Sequence, residues 1–238
     1  YRGLFLVLSA LTCAATVWAV WDEGWGRRPW KATQARFNEL LTLRGLPPVE
    51  EAIRQVTIPS LEELCLPPVL GELVQAPHGL ILVTGATGSG KSTTVASMLE
   101  HVNHLATRKI VSIEDPIEYL HKDDRCLTYQ REIGQDTHTF SHALRHILRQ
   151  DPDVILIGEI RDAESMKIAL TAADTGHLVL STMHTTDATQ TISRIISFFP
   201  PHQHQEIRYL VASTLQSVIS QRLVASPTGE RRYPAVEI

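Results

Sequence analysis

Residues 85–93 read Gly85-Ala86-Thr87-Gly88-Ser89-Gly90-Lys91-Ser92-Thr93. The run satisfies G-x-x-x-x-G-K-[ST], and its flanks supply the context that this pattern needs. Ahead of it, Gly79 to Thr84 (GLILVT) is a short apolar run with the composition of a buried strand. Behind it, residues 91–105 (KSTTVASMLEHVNHL) read as a helix. Strand, glycine loop and helix together make a phosphate cradle. Glycines let backbone N–H groups turn inward around an anion without a Cβ in the way. The helix that follows points its positive end at the same anion. Gly85, Ala86, Thr87, Gly88, Ser89, Gly90, Lys91, Ser92 and Thr93 are therefore the candidate ATP-binding residues. Lys91 would reach the outer phosphates and Ser92 the magnesium ion that they carry.

Composition sets wide bounds around this loop. The chain has 238 residues, 43% of them hydrophobic, which gives room for one α/β domain with further segments. The net charge is −4, and the one short basic cluster lies at residues 27–36. A protein that holds DNA through its phosphates needs a basic footprint, so no nucleic-acid partner is expected. Cys13, Cys65 and Cys126 are scattered and form no C-x-x-C pair, which suits a reducing compartment.

The amino-terminal part has a different character. Residues 3–21 (GLFLVLSALTCAATVWAVW) carry no charge and have the length of a bilayer-spanning helix. Trp18 and Trp21 mark one interface, and Arg27, Arg28, Lys31 and Arg36 follow it. The positive-inside rule then places the carboxyl side in the cytoplasm. A cleaved signal peptide and a buried core helix are the competing readings. The organisation expected is a membrane anchor over residues 1–27, a linker or shortened domain over 28–57, and the nucleotide-binding domain over 58–238. The chain opens at Tyr1 and stops at Ile238 in what reads as a strand, so a fragment at both ends is expected.

From residue 58 onward the pattern alternates between strand and helix. Leu61–Leu66 reads as a short helix closed by Pro67-Pro68, and residues 109–113 as a strand ending in Glu114-Asp115-Pro116-Ile117-Glu118. Acids at the carboxyl end of such a strand face the ligand crevice of an open α/β sheet. Residues 137–150 read as a helix, with His138, His142 and His146 on its polar side. A solvated face is the plain reading of those histidines, and a metal site the alternative. Residues 154–157 (VILI) read as a buried strand delivering Glu159, an acid for the magnesium side. A helix is expected over 162–174, then a strand over 178–182 bracketed by His177 and His184. Helices over 185–197 and 203–223 complete the reading.

Four boxes now stand in order: GATGSGKST (85–93), IEDPIEY (113–119), DPDVILIGEIRD (151–162) and TAADTGHLVLSTMHT (171–185). This series resembles the type II/IV secretion and type IV pilus ATPase superfamily, nearest to its pilus-retraction branch, over residues 58 to 238. The resemblance implies a RecA-like P-loop domain with a central, mostly parallel sheet. It also implies ATP and Mg2+ as ligands and a homo-hexameric motor docked on an inner-membrane platform protein at the cytoplasmic face. By the same resemblance Glu118 is the catalytic glutamate that activates water, Glu159 the glutamate on the magnesium side, and His177 and His184 the histidines near the γ-phosphate. Family members carry an amino-terminal domain that lends arginines to the neighbouring site; here Arg145, Arg149 and Arg161 are the candidates for that charge. The missing C-x-x-C pairs favour retraction over assembly or secretion. A membrane-tethered nucleotide-binding regulatory module with weak hydrolysis is the reading from a different class.

Overall fold

Seven strands build one sheet, and their apolar runs explain why. In the computed structural model, which describes residues 57–226 and 231–238, β1 spans Gly79–Thr84, β2 Lys109–Glu114, β3 Leu127–Glu132, β4 Val154–Ile157, β5 Leu178–Met183, β6 Leu215–Ala225 and β7 Arg232–Glu237. The spatial order is β3-β2-β4-β5-β1-β6-β7. Every neighbouring pair is parallel except β6 and β7. A parallel sheet is covered on both faces, so its strands are apolar throughout instead of alternating. All residues of β1, β4 and β5 are buried.

Among the described residues the α-helices are α1 (Val69–Leu73), α2 (Lys91–Leu105), α3 (Phe140–Ile147), α4 (Ala163–Asp174), α5 (Ala188–Ser197) and α6 (His204–Thr214). They divide between the two faces. Leu80 and Leu82 of β1 join a core with Leu144 of α3, Met166 and Leu170 of α4, Ile195 of α5 and Ile207 of α6. Ile81 and Val83 join the other core, with Leu70 of α1 and Val95, Met98 and Leu99 of α2. Successive residues of one strand thus anchor opposite layers. The described residues fall in one compact unit, 53–238.

Local sequence accounts for most element starts. Thr139, Asp162 and Asp187 cap α3, α4 and α5 by accepting from His142 N, Ser165 N and Gln190 N. The structure departs from expectation in three places. Leu61–Cys65 is a turn, and Pro68 opens α1, as proline suits a helix start rather than a stop. The helix expected over 203–223 ends at Thr214, and residues 215–225 form β6. Leu215, Val218, Ile219 and Leu223 fit helical spacing, but Val218 and Ile219 are β-branched and pair with Leu82 and Val83 of β1. β3, at the sheet edge with four polar residues of six, carries too weak an apolar signal to be expected as a strand. The span expected over residues 3–21 lies outside the described residues, among which no helix is long and apolar enough to cross a membrane.

Candidate functional site

The glycine loop sits at the carboxyl end of β1. Gly85 has φ 147°, and a Cβ there would lie 2.3 Å from the carbonyl oxygen of Gln221 on β6. Only glycine allows the loop to leave the sheet so close to its neighbour. Gly90, at φ 89°, opens α2 with no side-chain cap. The first N–H groups of α2 therefore stay free of a capping side chain at the point where an anion would sit. Lys91 is buried, and its Nζ donates to Gly85 O (2.9 Å) and Ala86 O (3.0 Å). Burial pushes its ammonium pKa down, against the pull of Glu159 and Glu118. Those carboxylates come from two other loops, and their charge favours the protonated lysine. Ser89 Oγ is buried without a partner, whereas Ala86, Thr87, Gly88 and Ser92 are exposed.

Glu118 lies on the loop between β2 and β3, with its side chain exposed. The backbone around it is tied down residue by residue. Ile117 N donates to Glu132 Oε2 (3.2 Å), and the Tyr119 hydroxyl meets Thr93 Oγ1 (2.9 Å). Gln130 of β3 donates through Nε2 to Tyr119 O (2.8 Å) and accepts His121 N at Oε1 (2.9 Å). His121 Nδ1 then meets Glu100 Oε2 of α2 (2.8 Å). A carboxylate free at its tip on a fixed backbone is how a water-orienting group is presented. Glu114, at the end of β2, differs: burial raises its pKa, while Ser112 and Gln130 donate to it.

Glu159 follows β4, and its carboxylate is shared. Oε1 lies 3.2 Å from His184 Nε2, and Oε2 accepts from Arg161 Nη2 at 2.6 Å. That pair raises the Arg161 pKa further. β5 stands between β1 and β4, so Glu159 is two strands from the P-loop strand, roughly 10 Å at the usual spacing. His184, just beyond the end of β5, reaches across from the intervening strand.

His177 is placed elsewhere. It precedes β5, and its backbone oxygen accepts from Gly79 N at the start of β1. Six residues of parallel strand separate it from the P-loop end, about 20 Å at ~3.3 Å per residue. Its Nδ1 faces Ala172 O (3.0 Å), closing the turn after α4. The two histidines bracket one strand, and the structure brings only His184 to the carboxylates. Arg161 is at the site, but Arg145 pairs with Glu164, and Arg149 lies just ahead of the opposite end of β4. His138, His142 and His146 are exposed, the latter two with ring centroids 4.6 Å apart, and this is a solvated face.

Two amides escape a reading of the sequence: Gln130, described above, and Gln221. Gln221 is buried; its Nε2 donates to Ser89 O (2.9 Å), and its Oε1 accepts from Thr94 Oγ1 (2.7 Å). The serine-punctuated β-branched run Ser217-Val218-Ile219-Ser220 is the available sign that a strand delivers it.

The donor set suits a triphosphate with magnesium. Among the described residues no three His, Cys, Asp or Glu side chains come together to hold a metal. Magnesium is usually held by one or two protein groups plus substrate phosphates and waters, and Ser92 and Glu159 are the side chains that could serve in such a set.

The chain is similar to known proteins over this whole region. The profile described as type II/IV secretion system protein matches residues 37–235. The chain is 50% identical over 179 residues to a type IV pilus retraction ATPase, PilT, of Pseudomonas aeruginosa, covering 74% of this chain and 52% of that one. It is 45% identical over 203 residues to a twitching motility protein of Neisseria gonorrhoeae, covering 85% and 54%. A crystal structure of the pilus retraction motor PilT with bound ADP superposes with a TM-score of 0.74 at 49% identity, covering 76% of this chain and 53% of that one. The chain thus spans about half the length of these relatives.

Proposed function

Because the chain belongs to the type II/IV secretion system protein family, we propose that it is the motor core of a pilus-retraction ATPase. In this reading it hydrolyses ATP with magnesium in a homo-hexamer. The ring stands on an inner-membrane platform protein at the cytoplasmic face and draws pilin subunits out of a pilus. The observation that carries the reading is the convergence at one end of the sheet. There the P-loop with Lys91 folded into it, the exposed Glu118 after β2, and Glu159 after β4 all follow the carboxyl ends of parallel strands. Similarity to the retraction ATPase and the twitching motility protein supports the assignment.

The chemistry follows from placement. The P-loop amides and Lys91 hold the phosphates, and Ser92 and Glu159 hold the metal side. Magnesium supplies charge neutralisation across the phosphate oxygens. Glu118 accepts a proton from a water as that water's oxygen bonds to the γ-phosphorus. The bond from that phosphorus to the β,γ-bridging oxygen breaks, giving ADP and inorganic phosphate. His184 keeps Glu159 aimed, and Arg161 balances its charge.

The test is the ATPase rate of the full chain against protein concentration. A rate per subunit that climbs with concentration is expected, because the ring completes sites between subunits. Turnover absent at every concentration, with ATP still bound, would overturn the motor reading.

A further inference from the structure

Residue 221 has no part in the chemistry above, yet its side chain is built into the loop that would carry the phosphates. We propose that Gln221 is a positioning residue for the nucleotide: from β6 its amide holds the Ser89 carbonyl turned out of the phosphate cradle. The proposal rests on the ATP-binding reading.

The orientation of the amide follows from its partners. A backbone carbonyl can only accept, so the end facing Ser89 O at 2.9 Å is the NH2. The other end then accepts the Thr94 hydroxyl at 2.7 Å, which stops the amide from turning over. Thr94 belongs to the first turn of α2, and Ser89 to the loop, so one side chain spans the junction of both. Gln221 is 3% exposed, so both bonds are made away from bulk solvent. The main chain takes part as well. Gln221 O lies where a Cβ on Gly85 would collide, and Gln221 Nε2 lies 2.9 Å from a Cβ built on Gly90. β6 is therefore moulded to the loop at Gly85, Ser89 and Gly90.

An anion nest works only if its N–H groups point in and its carbonyls point out. A carbonyl turned inward at Ser89 would meet the phosphates with its negative end. Gln221 supplies a side-chain donor that holds that oxygen outward. Glutamate at 221 would keep the shape and the acceptor for Thr94 but oppose a carboxylate to Ser89 O. Methionine would keep the volume and remove both bonds.

The experiment measures binding of fluorescently labelled ATP and steady-state turnover for the full chain and for Gln221→Glu, Gln221→Met and Thr94→Val, with melting temperatures alongside. Gln221→Glu is expected to weaken ATP binding about 10- to 100-fold, and Thr94→Val about 3- to 10-fold, from loss of buried hydrogen bonds. KM should rise while kcat stays within about twofold, because the loss is in phosphate binding shared by ground and transition states. Wild-type affinity in both Gln221→Glu and Thr94→Val overturns the proposal. So does a lowered melting temperature with unchanged affinity of the folded protein. If Gln221→Glu does not fold, Thr94→Val decides alone: unchanged affinity overturns, a loss supports. Should the unaltered chain and Lys91→Ala bind ATP equally, the nucleotide site itself is misassigned, which is a separate failure.

Discussion

The two ends of the sheet use the same residue types for opposite purposes. At the amino-terminal end the polar groups beside the strand starts answer the backbone. Asp153 Oδ2 accepts Lys109 N (2.7 Å), Lys109 Nζ donates to Gln150 O, and Arg108 gathers the carbonyls of Val74, Gln75 and Ala76. His177 closes a turn there. At the carboxyl-terminal end the carboxylates of the candidate site answer other side chains or stay open: Glu159 meets His184 and Arg161, and Glu118 ends in solvent. Parallel strands make this division possible, since all their carboxyl ends, with their loops, lie together. A histidine or an acid is thus told apart by the end it occupies, more than by its type.

Substitutions at matched positions test that division. Lys91→Ala should weaken ATP binding on the order of 100-fold or more, read by equilibrium binding, because a charged donor to phosphate is lost. Lys109→Ala, its counterpart at the other end, should leave affinity unchanged; equal losses would erase the contrast. Glu118→Gln should retain ATP binding and lose roughly 100- to 10,000-fold in turnover, the usual worth of a general base. Normal turnover in that variant removes Glu118 from the chemistry. His184→Ala should lower kcat about tenfold through a loosened Glu159. His177→Ala should leave kcat alone and lower the melting temperature by about 2–4 °C, the mark of one lost hydrogen bond. A kcat loss in His177→Ala matching that of His184→Ala would refute the assignment of His177 to the structural end of the sheet.

The smallest effect concerns His104, near the amino-terminal end. Its Nδ1 lies 2.6 Å from Asp124 Oδ2, and that hydrogen bond raises its pKa above the ordinary 6.5. A pKa raised on folding contributes stability that is full below 6.5 and is lost as pH rises through the raised value. The pair is largely exposed, so the contribution is small, at most a few tenths of a kcal/mol after screening. A proton NMR titration should show His104 titrating above 6.5 and moving down in Asp124→Asn, with Glu100 still beside the ring.

The sequence carries much of this arrangement. β1, α2 and β4 begin and end where their apolar runs and glycines put them, because a buried parallel strand and a P-loop helix have local signatures. Glu118 and Glu159 are visible as acids just after strands. What is not visible depends on distant partners. A histidine at either edge of LVLSTM looks alike until strand direction separates them by about 20 Å. β6 reads as helix because its aliphatic spacing fits both periods, and its pairing with β1 decides. Gln130 and Gln221 carry no motif, since an amide's importance lies in which backbone groups come to meet it.

The alternation along β1 has a mechanical consequence. Leu80 and Leu82 are gripped by one layer, Ile81 and Val83 by the other. A close-packed interior yields little and transmits strain. Load applied at the glycine loop therefore divides at once between both helical layers, and β1 behaves as a fixed beam between them. Displacement under that load falls to the parts the beam does not carry: the turn at His184, whose ring is held through Glu159, and the tip of Glu118, which ends in solvent.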